Sequence, residues 1–439
     1  MSRRGWMLWC GSSWGDWPMQ SEKDMTAGDF HIPRNFGSLP DGWRWSPLGS
    51  VCVGVFDCPH STPKLTTTGP FVIRTQDISS GILRLDSAAR VSSATYAERI
   101  KRAEPTYGDL LYSREGTYFG IAAEVPKGVQ VCLGQRMVLI RPDRQVVHHR
   151  FMRYWLNSPT MSAHIHGYRD GSVAERLNLT TIRALPTLLP PVREQEVIAG
   201  VLGALDDKIA INERIAVTVL DLAESRYRAA SEDGNWRTVT LGSAARWLSG
   251  GTPRTSESSY WGGEIPWISA LSLKSPWIDN SDRKLTDLGA ASGTRLVPTE
   301  SIIFVVRGSS LKSEFRIGIT QCNVAFGQDC KALIPDGSID PHLLFHAIRS
   351  AKSEIMEMVD ETSIGAGRLS TDLISKLEVR VPKERDESTA AELRTLSKLA
   401  AGRQKESRTL AALRDALLPQ LMSGKLRVRD AEKIVEDAV

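Results

Sequence analysis

Pro190-Pro191-Val192-Arg193-Glu194-Gln195 opens a stretch that runs to Ala230 and decides how the rest of the chain is organised. Ile198, Leu202, Leu205, Ile209, Ile215, Val219 and Leu222 recur at intervals of three and four, the spacing of one helical face. Asp206, Asp207, Lys208, Glu213, Arg214, Asp221, Glu224, Arg226 and Arg228 fall on the other faces. Asn212 lies on the apolar seam, where a polar residue fixes register in a coiled coil. Two prolines allow a helix to start here but not to continue upstream. A helix of about 35 residues spans roughly 50 Å.

On either side of this helix the chain repeats. Trp43-Arg44-x-x-x-Leu48-Gly49-Ser50 returns as Trp236-Arg237-x-x-x-Leu241-Gly242-Ser243, an offset of 193. At the same offset Asp86 and Arg90 match Asp279 and Arg283, and Pro105 and Arg114 match Pro298 and Arg307. Val131, Gly134, Gln135 and Pro142 match Val324, Gly327, Gln328 and Pro335. At offset 192, Arg176-Leu177 matches Arg368-Leu369, and Ile182, Leu185, Pro190 and Arg193 match Ile374, Leu377, Pro382 and Arg385. Each copy predicts short strands, around 71–73, 109–112, 129–131 and 137–140 in the first and 301–306 and 331–334 in the second. Helical segments follow, around Arg150 to Ser158 and Pro341 to Val359. The expected fold class is α+β, with an irregular, partly antiparallel sheet in each copy.

A second long helix is predicted from about Thr389 to Met422, with Leu393, Leu396, Leu399, Leu410, Leu413 and Leu417 on its seam and Ser423-Gly424 as its stop. Neither long helix can bury its seam alone. Two repeats in chain order related by a two-fold place the helices antiparallel, with coiled-coil packing and a globular domain at each end of the rod. The predicted segments are an extension over 1–35, a first domain over 36–190, a helix over 191–232, a second domain over 233–384, a second helix over 385–430 and a tail over 431–439.

A chain of 439 residues exceeds one core. Its 41% hydrophobic and 24% charged residues are ordinary for globular protein, and a net charge of +4 permits nucleic-acid binding without arguing for it. Six cysteines are scattered without a Cys-x-x-Cys pair, so reduced thiols are expected rather than a zinc site or disulfides. No apolar run is long enough to span a membrane. The first 35 residues carry Trp6, Trp9, Trp14 and Trp17 without period and are read as a disordered extension, or as a leader ahead of a start at Met19 or Met25.

The motifs on this frame resemble those of the DNA sequence-specificity subunit of type I restriction-modification systems. The resemblance covers about residues 36 to 430. It rests on Leu189-Pro190-Pro191-x-x-Glu194-Gln195-x-x-Ile198-Ala199-x-x-Leu202 with Asp207-Lys208-Ile209-x-x-Asn212, on Ser249-Gly250-Gly251-Thr252-Pro253, on Tyr260-Trp261-Gly262-Gly263-x-Ile265-Pro266-Trp267-Ile268-Ser269, and on Leu413-Arg414-Asp415-x-Leu417-Leu418-Pro419-Gln420-Leu421-Met422-Ser423-Gly424. The copies depart from each other at Asp57-Cys58-Pro59-His60 against the Gly-Gly-Thr-Pro loop, which bears on specificity. They also differ at Arg385-Asp386-Glu387 against Arg193-Glu194-Gln195, which bears on helix capping. The resemblance implies two target-recognition domains separated by the conserved helices. It implies double-stranded DNA as partner, two methyltransferase subunits flanking this one, and restriction and translocase subunits joining for cleavage. S-adenosylmethionine, ATP and magnesium would reside on those partners, with none in this chain, and the complex would be cytoplasmic.

No methyltransferase Asn-Pro-Pro-Phe or Asp-Pro-Pro-Tyr, dinucleotide fingerprint, phosphate loop or His-Glu-x-x-His stands in the sequence. His148-His149 and His164-x-His166 lack neighbouring acidic ligands, and Cys58-Pro59-His60 reads better as a loop than as nucleophile and base. No catalytic or metal-binding residue is assigned, which agrees with a non-catalytic recognition subunit.

Arg, Gln and Asn side chains give bidentate contacts to base edges. The DNA-contact candidates are Arg74, Gln76, Arg114, Gln135, Arg136 and Arg176 in the first domain and Lys274, Arg307, Lys312, Gln328 and Arg368 in the second. A residue identical in both copies cannot easily read two different sequences. Arg114/Arg307, Gln135/Gln328 and Arg176/Arg368 therefore suit phosphate or the domain's own backbone, and Arg74, Gln76, Arg136 and Lys312 suit base choice. Gly250, Gly251 and Thr252 form either a loop close to phosphate or an ordinary tight turn. Tyr260, Trp261 and Trp267 line the DNA face or pack in the core.

Domains about 30–50 Å apart would touch DNA roughly 10–15 base pairs apart at 3.4 Å each, giving a bipartite site with a nonspecific gap. The alternatives are the recognition part of a single-chain restriction-methylation enzyme, and a coiled-coil interaction protein that binds no DNA.

Overall fold

The computed structural model describes residues 31–33, 36–79, 81–116, 119–166, 176–361 and 366–437. The N-terminal extension, with Met19 and Met25, lies almost wholly outside the described residues. The chain divides into two compact units, Met1–Ala204 with Arg414–Val439, and Leu205–Leu413.

The first long helix runs Val192–Ser231. Its entry is set by the motif that precedes it. Pro191 C=O accepts from Glu194 and Gln195 N–H at 2.8 and 3.1 Å, closing the first turn behind a proline that has no N–H to lose. Glu194 Oε2 accepts from the Trp43 indole at 2.9 Å, tying the first residue pair of the repeat to the helix. Gln195 is fully buried. Its Oε1 accepts from His148 N–H at 2.9 Å and its Nε2 donates to the carbonyls of Pro190 and Val146 at 2.8 and 3.2 Å. The second long helix, Glu387–Met422, starts differently: Asp386 Oδ1 accepts from Thr389 N–H at 3.0 Å, an N-cap in place of the Glu-Gln device.

In the second unit the two long helices run antiparallel, as Lys208–Glu406 at 3.5 Å and Arg226–Glu392 at 3.0 Å show. Val219, Ala223, Tyr227, Ala390, Leu393 and Ala400 join one core with the second globular domain. Asn212 is fully buried on the seam, as the spacing requires. The seam departs from prediction at two leucines. Leu222 and Leu399 are 45% and 42% exposed. The buried line instead passes through Ala223 on the first helix and through Ser397, Ala400 and Ser407 on the second. Steps of three from Leu393 through Leu396 to Leu399 drift around a 3.6-residue helix. Alternating three and four keeps Leu393, Ser397, Ala400, Ser407 and Leu410 on one side. The second helix ends at Met422, where Ser423-Gly424 marks its stop, and a further helix, Val428–Glu436, follows.

The globular domains share a plan. In the first unit an antiparallel sheet has the order Cys52–Asp57, Met137–Pro142, Leu110–Ser113, Ala122–Glu124. In the second the order is Arg246–Ser249, Cys330–Ile334, Ile302–Val305, Ile317–Thr320, Trp277–Ile278, the last pair being parallel. Beside each lies a smaller mixed sheet with one parallel pair, Val72 against Cys132 and Trp267 against Ala325. In both units the first strand pairs antiparallel with the last, Arg44–Pro47 with Pro186–Leu189 and Trp236–Thr240 with Glu378–Pro382. Buried Leu110, Leu111 and Tyr112, and Ile302, Ile303 and Phe304, form the central strands. A helix covers each sheet, His149–Leu156 and Pro341–Ser350.

Two polar residues inside the second unit carry measurable consequences. His346, on the covering helix, is wholly buried with neither ring nitrogen partnered among the described residues. Burial first, then Arg349 and His342, push its pKa down to about 3. The unfolded chain therefore binds a proton below about pH 6.5 that the folded chain refuses. Stability should fall as pH drops from 6.5 toward 3, by up to ~1.4 kcal/mol per pH unit from this group, and His346→Leu should flatten that part of a urea-unfolding profile. Both side-chain polar atoms of Asn212 are likewise unpartnered. Asn212→Leu should raise the melting temperature at the expense of a fixed register; a lower one would show that the amide has a partner in solution.

Candidate nucleic-acid interface

The repeat-matched polar residues gather where the central strands of each unit end. In the first unit Asp57, at the end of its strand, lies 3.3 Å from Arg114 Nη1 and 3.4 Å from His60 Nε2. Gln135 Nε2 donates to the His60 carbonyl at 2.7 Å. Glu115 sits 3.4 Å from Arg136 Nε and 4.0 Å from Arg176 Nε. The result is a network in which each carboxylate faces two cationic or titratable groups. Arg114 is withdrawn from the DNA-contact set: its side chain is only 5% exposed, held inside the fold by Asp57. Arg74 donates twice to Asp77, at 2.9 and 3.1 Å, so its guanidinium is already engaged within the domain. Gln76 is exposed, and Arg136 is exposed on a left-handed backbone with φ of 66°.

The corresponding corner of the second unit forms a pocket of about 240 Å³ lined by Arg307, Gln328, Lys331, Arg368, Ser370 and Thr371. Gln328 Oε1 accepts from Thr252 Oγ1. Gln328 and Gln135 thus play one part, tying down the loop that follows the edge strand. Lys331 Nζ donates to Ser249 Oγ at 2.7 Å. Gly250 and Gly251 approach their own chain. A Cβ there would lie 2.3 Å from the Gly327 carbonyl oxygen and 1.9 Å from that of Gly293, so the loop's closest backbone neighbours are internal. Trp267 is buried and donates to the Gly251 carbonyl at 3.1 Å, while Trp261 packs edge-on against it at 5.5 Å. Arg283 lies 3.7 Å over Trp261, as its repeat mate Arg90 lies 3.9 Å over Phe71. The two tryptophans belong to a small core with Leu285 and Ala325. Tyr260 is half-buried, and Lys274 and Lys312 are exposed away from the pocket lining.

Hydrogen bonding corrects one equivalence. Leu177 N–H donates to the Arg114 carbonyl, whereas Leu369 N–H donates to that of Val306. Arg114 N–H donates to the Arg136 carbonyl, and Val306 N–H to that of Asp329. Glu115 bridges to Arg176, and Arg307 pairs with Arg368. The central strands are therefore related by 192, while the strands they pair with keep 193: Ser113 faces Met137, and Val305 faces Cys330. Arg114 corresponds to buried Val306, and Arg307 corresponds to Glu115. By the same register Asp57 corresponds to Ser249 and Val138 to Lys331. Lys331 escaped the sequence reading because its mate is an apolar strand residue.

The other motif residues have structural roles. Cys58 is buried and its thiol pKa is raised, chiefly by burial, so it is no nucleophile at neutral pH. His149 does have an acidic neighbour in space: Glu124, at the end of the strand Ala122–Glu124, lies 3.1 Å away. Among the described residues no group of three or more His, Cys, Asp or Glu is placed to hold a metal ion.

Residues 42–220 match the family model of the type I restriction modification DNA specificity domain. Within those residues the chain carries this specificity domain. It is 24% identical over 255 residues to the specificity subunit of the type I restriction enzyme EcoR124I/EcoR124II of Escherichia coli, covering 56% of this chain and 62% of that one. It is 21% identical over 439 residues to the putative type I restriction enzyme MjaX specificity subunit of Methanocaldococcus jannaschii, covering 91% and 98%. The crystal structure of a type I restriction-modification S subunit from M. genitalium superposes with a TM-score of 0.54 at 16% identity, covering 89% of this chain and 98% of that one, which shows a shared fold. The family match ends inside the first long helix; the strand register carries the same plan into the second unit.

Asp57→Leu should cost about 3 kcal/mol in urea unfolding, because the Arg114 guanidinium stays buried without its counter-charge. Adding Arg114→Leu should recover part of that loss, and a double variant worse than the single would refute the pairing.

Proposed function

We propose that this chain reads DNA sequence for a type I restriction-modification complex and carries no catalytic centre itself. One observation carries the reading. Two copies of a single backbone frame present different side chains at matched rim positions: Glu115 against Arg307, Asp57 against Ser249, Arg136 against Asp329. A frame kept constant while its rim changes charge is what two readers of two different half-sites need. Surface Arg, Lys and Gln supply the donors for phosphates and base edges. The target is bipartite double-stranded DNA, one half-site to each globular domain. The long helices are the seat for two methyltransferase subunits, and restriction and translocase subunits complete the assembly. S-adenosylmethionine, ATP and magnesium serve those partners. No helix among the described residues is long and apolar enough to cross a membrane, in keeping with work on DNA in the cytoplasm.

The test exchanges residues 43–185 for the corresponding domain of another specificity subunit and sequences methylated bases in the host genome. One half-site should change and the other should stay. Change in both would refute independent reading, and a complex that binds no DNA in a gel shift at low salt would refute the function.

A further inference from the structure

We infer that the second globular domain grips a single DNA phosphate in the pocket of Arg307, Lys331 and Arg368, and that the first domain has lost the matching grip through a charge reversal. The inference rests on the DNA-reading function proposed above and assigns part of the contact to one domain only.

Three cationic side chains line one pocket of about 240 Å³, and no carboxylate lines it. Arg307 and Arg368 are exposed, directly opposite each other on paired strands. Like charges facing across a strand pair destabilise it unless an anion lies between them. Among the described residues none of the three makes an ion pair with an acid, whereas Arg136 and Arg176 of the first unit both face Glu115. Two acids stand nearby in the fold. Asp360 pairs with Arg368 on its other side, and the Asp329 carbonyl accepts from Val306 and Arg307 N–H. Neither carboxylate lines the pocket.

The remaining lining suits a tetrahedral oxyanion. Gln328 spends its Oε1 on Thr252, which leaves its amide N–H group as a donor, and Ser370 and Thr371 bring hydroxyls. Guanidinium forks hold phosphate oxygens with two parallel bonds, and an ammonium adds a point charge. In the first unit the same ring reads Glu115 for Arg307 and Val138 for Lys331. A phosphate there would meet a carboxylate and lose a cation. The two half-sites are therefore held unequally: the second by a fixed backbone anchor, the first through the rest of its rim.

The experiment uses the full chain co-purified with its methyltransferase partner and compares Arg307→Gln and Arg368→Gln, singly and together, with the unaltered complex. In the first arm, the logarithm of DNA affinity is plotted against the logarithm of salt. Loss of one phosphate contact should lower the slope by about 0.9. In the second arm, the full chain without DNA is melted with and without millimolar inorganic sulfate. The sulfate-induced rise in melting temperature should shrink in the variants, whose melting without sulfate controls for folding. An unchanged slope, with DNA still bound, overturns the inference and leaves the DNA reading standing. Failure of the unaltered complex to bind any DNA strikes the DNA reading instead. In that case equal sulfate shifts in variant and unaltered chain remove the anion pocket as well.

Discussion

Each globular domain is closed by one antiparallel pairing between its first and last strands, Arg44–Pro47 with Pro186–Leu189 and Trp236–Thr240 with Glu378–Pro382. That closure puts the entry and exit of the domain side by side, so a long helix can follow directly from the exit. The Trp that opens each copy stands at this junction. Trp43 donates to Glu194 in the first turn of the first long helix, and Trp236 packs against Tyr227, whose hydroxyl donates to the Arg380 carbonyl at 2.8 Å. The fully buried amide of Gln195 then fixes the helix start to the covering helix of the same domain. The Trp43 and Gln195 contacts set where the first helix starts, the Tyr227 contact ties its last turns to the strand Glu378–Pro382, and removing the Gln195 amide would orphan the donor and acceptors it satisfies.

Within that frame the surface is free to vary in charge but not in backbone. The clearest case is the reversal between Glu115 and Arg307. It requires no change in strand pairing, because both residues lie just beyond a central strand and bridge to the matched arginine, Arg176 or Arg368. Buried positions behave oppositely. Arg114 sits where Val306 does, and its buried guanidinium is balanced by Asp57 at the rim, whose side chain is 15% exposed. One position tunes a surface potential; the other requires a paired change.

The sequence exposes the frame well and the corner poorly, for identifiable reasons. The Trp-Arg-x-x-x-Leu-Gly openings are dictated by junction contacts, and the Gly134/Gly327 pair by close packing against the Ile73 carbonyl in one copy and the Trp267 ring in the other; such constraints leave identities behind. The long helices show because a seam of apolar residues must recur. Their details blur where small residues do the packing: Ser397, Ala400 and Ser407 carry no hydrophobic signal, while the exposed Leu399 does. At the corner, identity misleads. Two arginines in register at offset 193 look equivalent, yet a one-residue slip of the central strand separates a buried ion-paired group from an exposed one. Only hydrogen bonds between strands far apart in sequence reveal that slip. Lys331 is hidden for a similar reason, since repeat comparison finds likeness and this site depends on difference.

The first unit contains the end of the chain, Arg414–Val439, as well as its beginning. Buried Leu417, Leu421 and Met422 of that segment complete a unit whose other helix face, Ile198, Ala199 and Leu202, was made more than two hundred residues earlier. During translation the second unit has all its parts before the first one does. The N-terminal half therefore lacks part of its unit until Arg414–Val439 has been made, which makes truncation within that segment a hazard for it.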